Sequence, residues 1–502
     1  MKQKKKIMII SLIIIVVIVT SLGVIREIIM KGKELKVNNS KEYSKFYYKN
    51  PIGGIKDIGD PFVLKALDKK YYYYPTTGGN GFRAWESNDL VKTNEIGTVM
   101  QGVGSWAFKD FWAPEVVVYK GKYYMYYTAR WSQNNSLRVG VAVSDSPKGP
   151  FKDVLDKPLF DFGYAVIDAN VLIDEDNKKY LFFSRDCSEN LVGARHESHI
   201  YGIELNDDMI SVKGEPVLLS KPEQSWEKNS TNGFYWNEGP TVIKNNGIYY
   251  LMYSANYYAS KLYSIGYATS KNPLGKYTKY ENNPIVSAQP NWNNVSGLGH
   301  NSVTTSPDGK EMFMVYHTHT DPKNGGGDRQ IFIDRMGFRE DGSIYVNAPT
   351  VTEQPMPSGT NADANIASEA KITTSPTKAG YKEKAITDGE IGIYEKFGKN
   401  EWVPSKGKED VWVKLEWDKE KQVNSVLVYG SALNERALAS VKLEFSNGKI
   451  VSSLAFSKQP GSVAIANFAD MNVKWVKVII DKSKIIGSES GLSEIMVYSK
   501  IK

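Results

Sequence analysis

The sequence predicts an all-β protein: a five-bladed β-propeller followed by a β-sandwich, behind an N-terminal signal or anchor helix. Three observations carry this. The 502-residue chain holds 31 Tyr, 18 Phe and 11 Trp, crowded into short strand-like runs, which favours sheets over helical bundles. One sequence unit recurs five times between residues 60 and 316. Past residue 359 the texture changes and a second set of alternating strands begins. At about 100–200 residues per domain this length suggests two or three domains. With 41% apolar and 24% charged residues, wholesale disorder is excluded.

Residues 1–30 read as a signal peptide or membrane anchor. Lys2, Lys4, Lys5 and Lys6 precede an apolar run from Ile7 to Ile25, broken only by Ser11, Thr20, Ser21 and Gly23. Such a run just reaches the roughly 20 residues that a bilayer core requires. The lysines would stay inside, leaving everything after about residue 30 outside the membrane. The expected location is therefore extracellular, secreted or held at the cell surface by this segment. These lysines also supply four charges of the net +7. The remainder has no dense basic stripe, so nucleic acid is not an expected partner. Cys187 is the single cysteine, which excludes an intrachain disulfide framework and a cysteine-based zinc site.

The propeller is expected over residues 44–355. Its repeat is a polar residue, a short apolar strand, a turn and an aromatic strand. The copies are DPFVLKALDKKYYYY from Asp60, PEVVVYKGKYYMYY from Pro114, DANVLIDEDNKKYLFF from Asp168, EGPTVIKNNGIYYLMY from Glu238 and HNSVTTSPDGKEMFMVY from His300. The turns have the Gly/Asn/Asp chemistry that joins antiparallel strands. The spacing leaves room for a four-stranded blade per copy. The innermost strand of each blade faces the axis, so Asp60, Glu115, Asp168, Glu238 and His300 are expected to converge on one mouth of the channel. Carboxyl groups crowded together cannot all ionise freely, which separates acid from base.

These residues, with their neighbours GDPFVL (59–64), FWAPEVVVYKGKYYMYYT (111–128), VIDANVLIDEDNKKYLFF (166–183), NEGPTVIKNNGIYYLMYS (237–254) and GHNSVTTSPDGK (299–310), resemble glycoside hydrolase family 43. The resemblance covers residues from about 50 to 355 and implies hydrolysis of arabinose- or xylose-containing polysaccharide. It implies Asp60 as general base, Glu238 as general acid and Asp168 as the carboxylate that tunes the acid and helps orient substrate. It implies His300 as the axial histidine beside a calcium ion or water in the channel, and Arg329, in DRQIFIDRMGF, as a sugar-binding residue. No organic cofactor is implied. An inverting hydrolysis needs one protonated acid and one carboxylate that activates water across the ring. Glu238, among Trp236, Gly239 and Pro240, has the apolar surround that raises a carboxyl pKa.

Trp106, Trp112 and Tyr235 are candidate sugar-stacking platforms, with Trp112 and Tyr235 expected to bind substrate. Glu115 is read as structural. Ser184-Arg185-Asp186 is similar to an Arg-Asp-Pro motif of retaining fructan- and sucrose-cleaving propellers, but Cys187 stands where the proline would be. It reads instead as a strand end, and His317 and His319 as packing near the channel.

After the Pro/Gly/Ser-rich stretch at 349–359, residues 362–502 contain VWVKLEW (411–417), SVLVYG (425–430), SVKLEFS (440–446) and WVKVII (475–480). Their pieces NIASEA, AITDGE and GLSEIMVY resemble discoidin-like, galactose-binding-fold modules. That resemblance implies a β-sandwich, a possible carbohydrate-binding module and a possible structural calcium. Trp402 is the candidate loop platform, whereas Trp412, Trp417 and Trp475 are expected inside. The whole reads as an exported, monomeric glycosidase acting on a polysaccharide or oligosaccharide. A non-catalytic surface glycan-binding propeller and a retaining fructan- or sucrose-type hydrolase are the two alternatives.

Overall fold

The computed structural model describes residues 33–37, 45–102, 106–229, 233–288, 294–360, 363–392, 400–405, 410–457 and 462–500. The expected signal or anchor segment, residues 1–30, lies outside them. Among the described residues no helix is long and apolar enough to cross a membrane. The chain falls into two compact units, Phe46–Asn361 and Met1–Lys45 with Ala362–Lys502.

The first unit is a five-bladed propeller. Its innermost strands are Lys56–Lys65, Ala107–Tyr119, Val166–Ile173, Asn237–Asn245 and Gly299–Thr305. Each pairs antiparallel with an aromatic strand: Tyr71–Thr76, Lys122–Trp131, Lys179–Arg185, Ile248–Ala255 and Met312–His319. The third strand of blade five, Arg329–Phe338, also pairs with blade one, through Arg329 opposite Ile58, and closes the ring.

The aromatic strands are apolar on both faces because each is sandwiched between two blades. Tyr71, Tyr72, Tyr73 and Tyr74 are all fully buried. Side chains alternate across a strand. Tyr71 and Tyr73 therefore pack with Phe313, Val315 and Ile331 of blade five, while Tyr72 and Tyr74 pack with Val116, Met125 and Tyr127 of blade two. Equivalent clusters join blades two to three, three to four and four to five.

A bulge recurs at one level of all five inner strands, between Gly59 and Phe62, Trp112 and Glu115, Ile167 and Asn170, Glu238 and Thr241, and Gly299 and Ser302. Its first residue has left-handed backbone in every blade: Asp60 (φ 47°), Ala113 (φ 44°), Asp168 (φ 59°), Gly239 (φ 56°) and His300 (φ 50°). Left-handed backbone is costly for residues with a Cβ and clusters at functional sites. The expected register therefore needs correcting at two positions. Glu115 lies two residues deeper than its blade's bulge residue, Ala113, and Glu238 lies one residue before Gly239.

A second fivefold feature holds these bulges. Opposite the residue before each bulge stand Thr76, Thr128, Ser184, Ser254 and His317. In four blades this side chain accepts the bulge N–H of the next blade: Ala113 N–H to Thr76 (2.7 Å), Asp168 to Thr128 (3.0 Å), His300 to Ser254 (2.8 Å) and Asp60 to His317 Nδ1 (3.2 Å). Blade three is the exception. Gly239 N–H donates instead to Asp168 Oδ2 (3.0 Å), and the buried Ser184 hydroxyl has no partner among the described residues.

The second unit is a sheet-rich module folded around one apolar core. The strands expected at 411–417 and 425–430 are one long strand, Val411–Gly430, and the one expected at 475–480 is the end of another, Val463–Ile480. They pair with each other along their length, with a register shift between Glu416 and Lys421. Trp402 is fully buried, its indole N–H donating to Thr377 (3.1 Å), so it cannot be the expected loop platform. Trp417 is buried as expected, but Trp412 and Trp475 are half-buried under Lys477 and Lys414. Glu34 joins this unit through a bridge to Ile450 and hydrogen bonds from Ser452.

Candidate active site

The inner-strand bulges bring Asp60, Asp168 and His300 to the channel mouth, with Glu238 one residue away and Arg329 arriving from blade five. Asp60 accepts from Arg329 (2.7 Å) on Oδ1 and from the Thr76 hydroxyl (2.7 Å) on Oδ2, and His300 Nδ1 lies 3.3 Å from Oδ1. Burial disfavours its charge, but Arg329, His300, His317 and Thr76 outweigh that and hold the carboxyl well below the usual range. Gly59 makes room for the guanidinium, since a Cβ there would lie 2.0 Å from an Arg329 nitrogen.

Asp168 and Glu238 go the other way. Burial, reinforced by Asp60 and Asp186 and opposed by His300 and the Gly239 N–H, pushes Asp168 up to about 6. Burial, then the charges of Asp168, Asp186 and Asp60, raises Glu238 well above the ordinary range. Three carboxyl groups thus share one mouth with opposed protonation: Asp60 ionised, Glu238 protonated and Asp168 between them.

Asp60, Asp168 and His300 line one small cavity together with Glu115, Pro61, Pro114, Pro240 and Thr241, with room for about one water. The Glu115 oxygens accept from Asn170 Nδ2 (3.0 and 2.8 Å) and the Val171 N–H (2.9 Å), and burial pushes its pKa up to about 8. A calcium ion takes six to eight oxygen ligands. Here Glu115 is already bonded and His300 Nδ1 faces Asp60, so the lining suits one water better than a calcium with protein ligands. Among the described residues no group of three or more His, Cys, Asp or Glu is gathered to hold a metal.

The stacking candidates separate. Trp106 is buried, with its N–H on Tyr127 (3.1 Å), and is core. Trp112 holds in blade two the register position of Glu238 in blade four, half-buried against Leu137, Ala165 and Ile167. Tyr235 packs under Arg195 (5.3 Å) on a small separate sheet. Its neighbours Phe234 and Trp236 belong to an aromatic series that sequence reasoning missed: His196, Phe234, Trp236, Tyr257 and Tyr258, with successive ring centroids 4.7, 5.8, 5.5 and 4.9 Å apart. Tyr258 lies under Arg329 (4.7 Å), and its carbonyl is bonded to His319 Nε2 (2.9 Å). Only the period-two alternation of FYW at 234–236 hinted at this. Asp186 caps a short turn through the Ser188 N–H (3.0 Å), consistent with a strand end.

In the C-terminal module Glu494 is fully buried. One of its oxygens accepts from the Gly389 N–H (3.1 Å) and the other has no partner among the described residues. Burial, then Asp388 and Glu390, raises its pKa well above the ordinary range. Both oxygens of Glu390 are already taken by Asn400 (3.0 Å each), so the protonated Glu494 does not belong to a donor set that fits a cation.

A five-bladed channel with grouped, oppositely poised carboxyl groups is the architecture of a propeller hydrolase. Residues 48–344 match the family described as Glycosyl hydrolases family 43, and the chain belongs to that family; it is a glycoside hydrolase. Residues 365–498 match a domain of unknown function, DUF7402, and the discoidin-like identity finds no support there. The chain is 30% identical over 301 residues to a beta-D-galactofuranosidase of Aspergillus niger, covering 56% of this chain and 79% of that protein. It is 27% identical to an arabinoxylan arabinofuranohydrolase of Paenibacillus polymyxa, covering 66% of this chain and 57% of that one. Among solved structures, a thermostable family-43 glycoside hydrolase shares 48% identity at a TM-score of 0.60, over 62% of this chain and 100% of its own.

Proposed function

We propose that this chain is an exported, inverting glycosidase cleaving arabinofuranosyl or xylosyl linkages, with galactofuranosyl linkages a further substrate class. The observation that carries the reading is the opposed protonation of Asp60 and Glu238. Asp60, kept ionised by Arg329, accepts a proton from water as that water attacks the anomeric carbon. Glu238, kept protonated, donates its proton to the leaving oxygen. Asp168 tunes Glu238: while Asp168 is ionised its charge discourages ionisation of Glu238, and its Oδ2 anchors the Gly239 N–H beside the acid. Arg329 also binds sugar, and His300 orders a water beneath it. Trp112 flanks the sugar at the mouth. The series from His196 to Tyr258, with Tyr235 on its reverse side, flanks the leaving group.

The catalytic domain is residues 44–355, and residues 362–502 form an accessory module whose ligand class would be carbohydrate. Export rests on the apolar N-terminus and on relatives described as extracellular, such as an exo-alpha-(1->5)-L-arabinofuranosidase of Streptomyces avermitilis. The test is hydrolysis of aryl α-L-arabinofuranoside, β-D-xyloside and β-D-galactofuranoside and of linear arabinan, with the first-formed anomer followed by proton NMR. Cleavage with inversion is expected. Initial retention would overturn the role given to Asp60, and glycan binding without cleavage would favour a non-catalytic surface glycan-binding propeller.

A further inference from the structure

Tyr263 stands on blade four, just before the strand Ser264–Ser270, and is 1% exposed. Its hydroxyl donates to Glu238 Oε1 at 3.0 Å. Behind it, the Ser254 hydroxyl bonds the Tyr263 oxygen and itself accepts from the His300 N–H at 2.8 Å. Tyr263 spends its one proton on Glu238, so in the bond between the two hydroxyls Ser254 is the donor. The chain has one direction, from the His300 backbone to the carboxyl group, and bonds aligned this way strengthen one another.

The ring is held as firmly as the hydroxyl. It stacks on His317 with centroids 5.5 Å apart and planes 8° apart. His317 in turn accepts the Asp60 N–H through Nδ1. Gly299 leaves the space, since a Cβ there would come within 1.9 Å of the ring. One stacked pair therefore touches the proposed acid on one side and the backbone of the proposed base on the other.

We propose that Tyr263 is a positioning residue for the general acid: by occupying Oε1 it confines the transferable proton to Oε2, and through His317 it ties the acid to Asp60. The inference rests on the reading of Glu238 as acid and Asp60 as base. By register the place of Tyr263 is taken in blade two by Leu137 and in blade five by Arg329, which donates to Asp60 as Tyr263 donates to Glu238.

Tyr263→Phe removes the donor and keeps the ring. A hydrogen bond donated to a carboxylate favours its charged form, so removing it raises the acid's pKa. The other groups acting on Glu238, namely Asp168, Asp186 and Asp60, are unchanged by the substitution. Cys187, also near it, stays protonated because burial pushes its thiol up to about 12. The alkaline limb of kcat/KM is therefore expected to move up by about one pH unit, the effect of one charge-assisted hydrogen bond. Turnover of an oligosaccharide should fall about tenfold, while a dinitrophenyl glycoside, which needs no proton to leave, should be cleaved within about twofold of wild type. Ser254→Ala should give the same pattern more weakly.

Equal losses on both substrates with an unmoved alkaline limb would mean a structural role and overturn the inference. The same holds for a wild-type profile in a folded variant. Glu238→Gln, run in parallel, separates the two readings: if it spares the oligosaccharide reaction, the acid assignment itself fails and Tyr263 falls with it.

Discussion

Arg329 Nη1 and Asp60 Oδ1 lie 2.7 Å apart although 269 residues separate them in the chain. Closure of the ring creates this pair, because Arg329 sits opposite Ile58 in the strand pairing that joins blade five to blade one. A buried carboxylate beside a guanidinium remains ionised where burial alone would neutralise it.

Arg329→Gln should therefore raise the pKa of Asp60. A base works only when ionised, so the acid limb of kcat/KM moves to higher pH and activity is lost first below neutrality. The pH profile checks this. An unmoved acid limb would show that Arg329 binds sugar without poising the base.

Glu115 gives a prediction about stability. Its pKa rises on folding to about 8, so the folded state holds a proton that the unfolded state releases at lower pH. Its contribution is full below the unfolded carboxyl range, near 4.3, and is lost as pH rises through about 8. Glu115→Gln carries no such proton. The melting temperature of wild type minus that of the variant should fall steadily between pH 5 and 8, read by thermal denaturation. A constant difference would remove the titration from the account.

Much of this was legible in the sequence, for a physical reason. A propeller repeats one strand pair, and the repeat from Asp60 to His300 shows at residue level because every copy buries the same two faces. Asp60, Asp168 and His300 stand out since the repeat marks their level. Glu115 misleads: it is the acidic residue nearest that level in a blade whose own bulge residue is Ala113. The roles of Thr76, Ser254 and His317 lie in hydrogen bonds between blades, which no pattern within one copy encodes. Arg329 could be found by resemblance, but its partner comes from ring closure. Trp402 failed as a platform because an exposed and a buried tryptophan in a loop look alike until the core around them is known.

The most direct test compares Asp60→Asn with Glu238→Gln on an oligosaccharide and on a dinitrophenyl glycoside. A good leaving group departs without a proton, whereas water must be activated whatever leaves. General acid–base steps contribute about 10²–10⁴-fold each. Asp60→Asn should lose activity severely on both substrates, and Glu238→Gln should lose it on the oligosaccharide but recover much of it on the activated glycoside. Equal rescue of both variants, or full activity in either on the oligosaccharide, would contradict the assignment of base and acid.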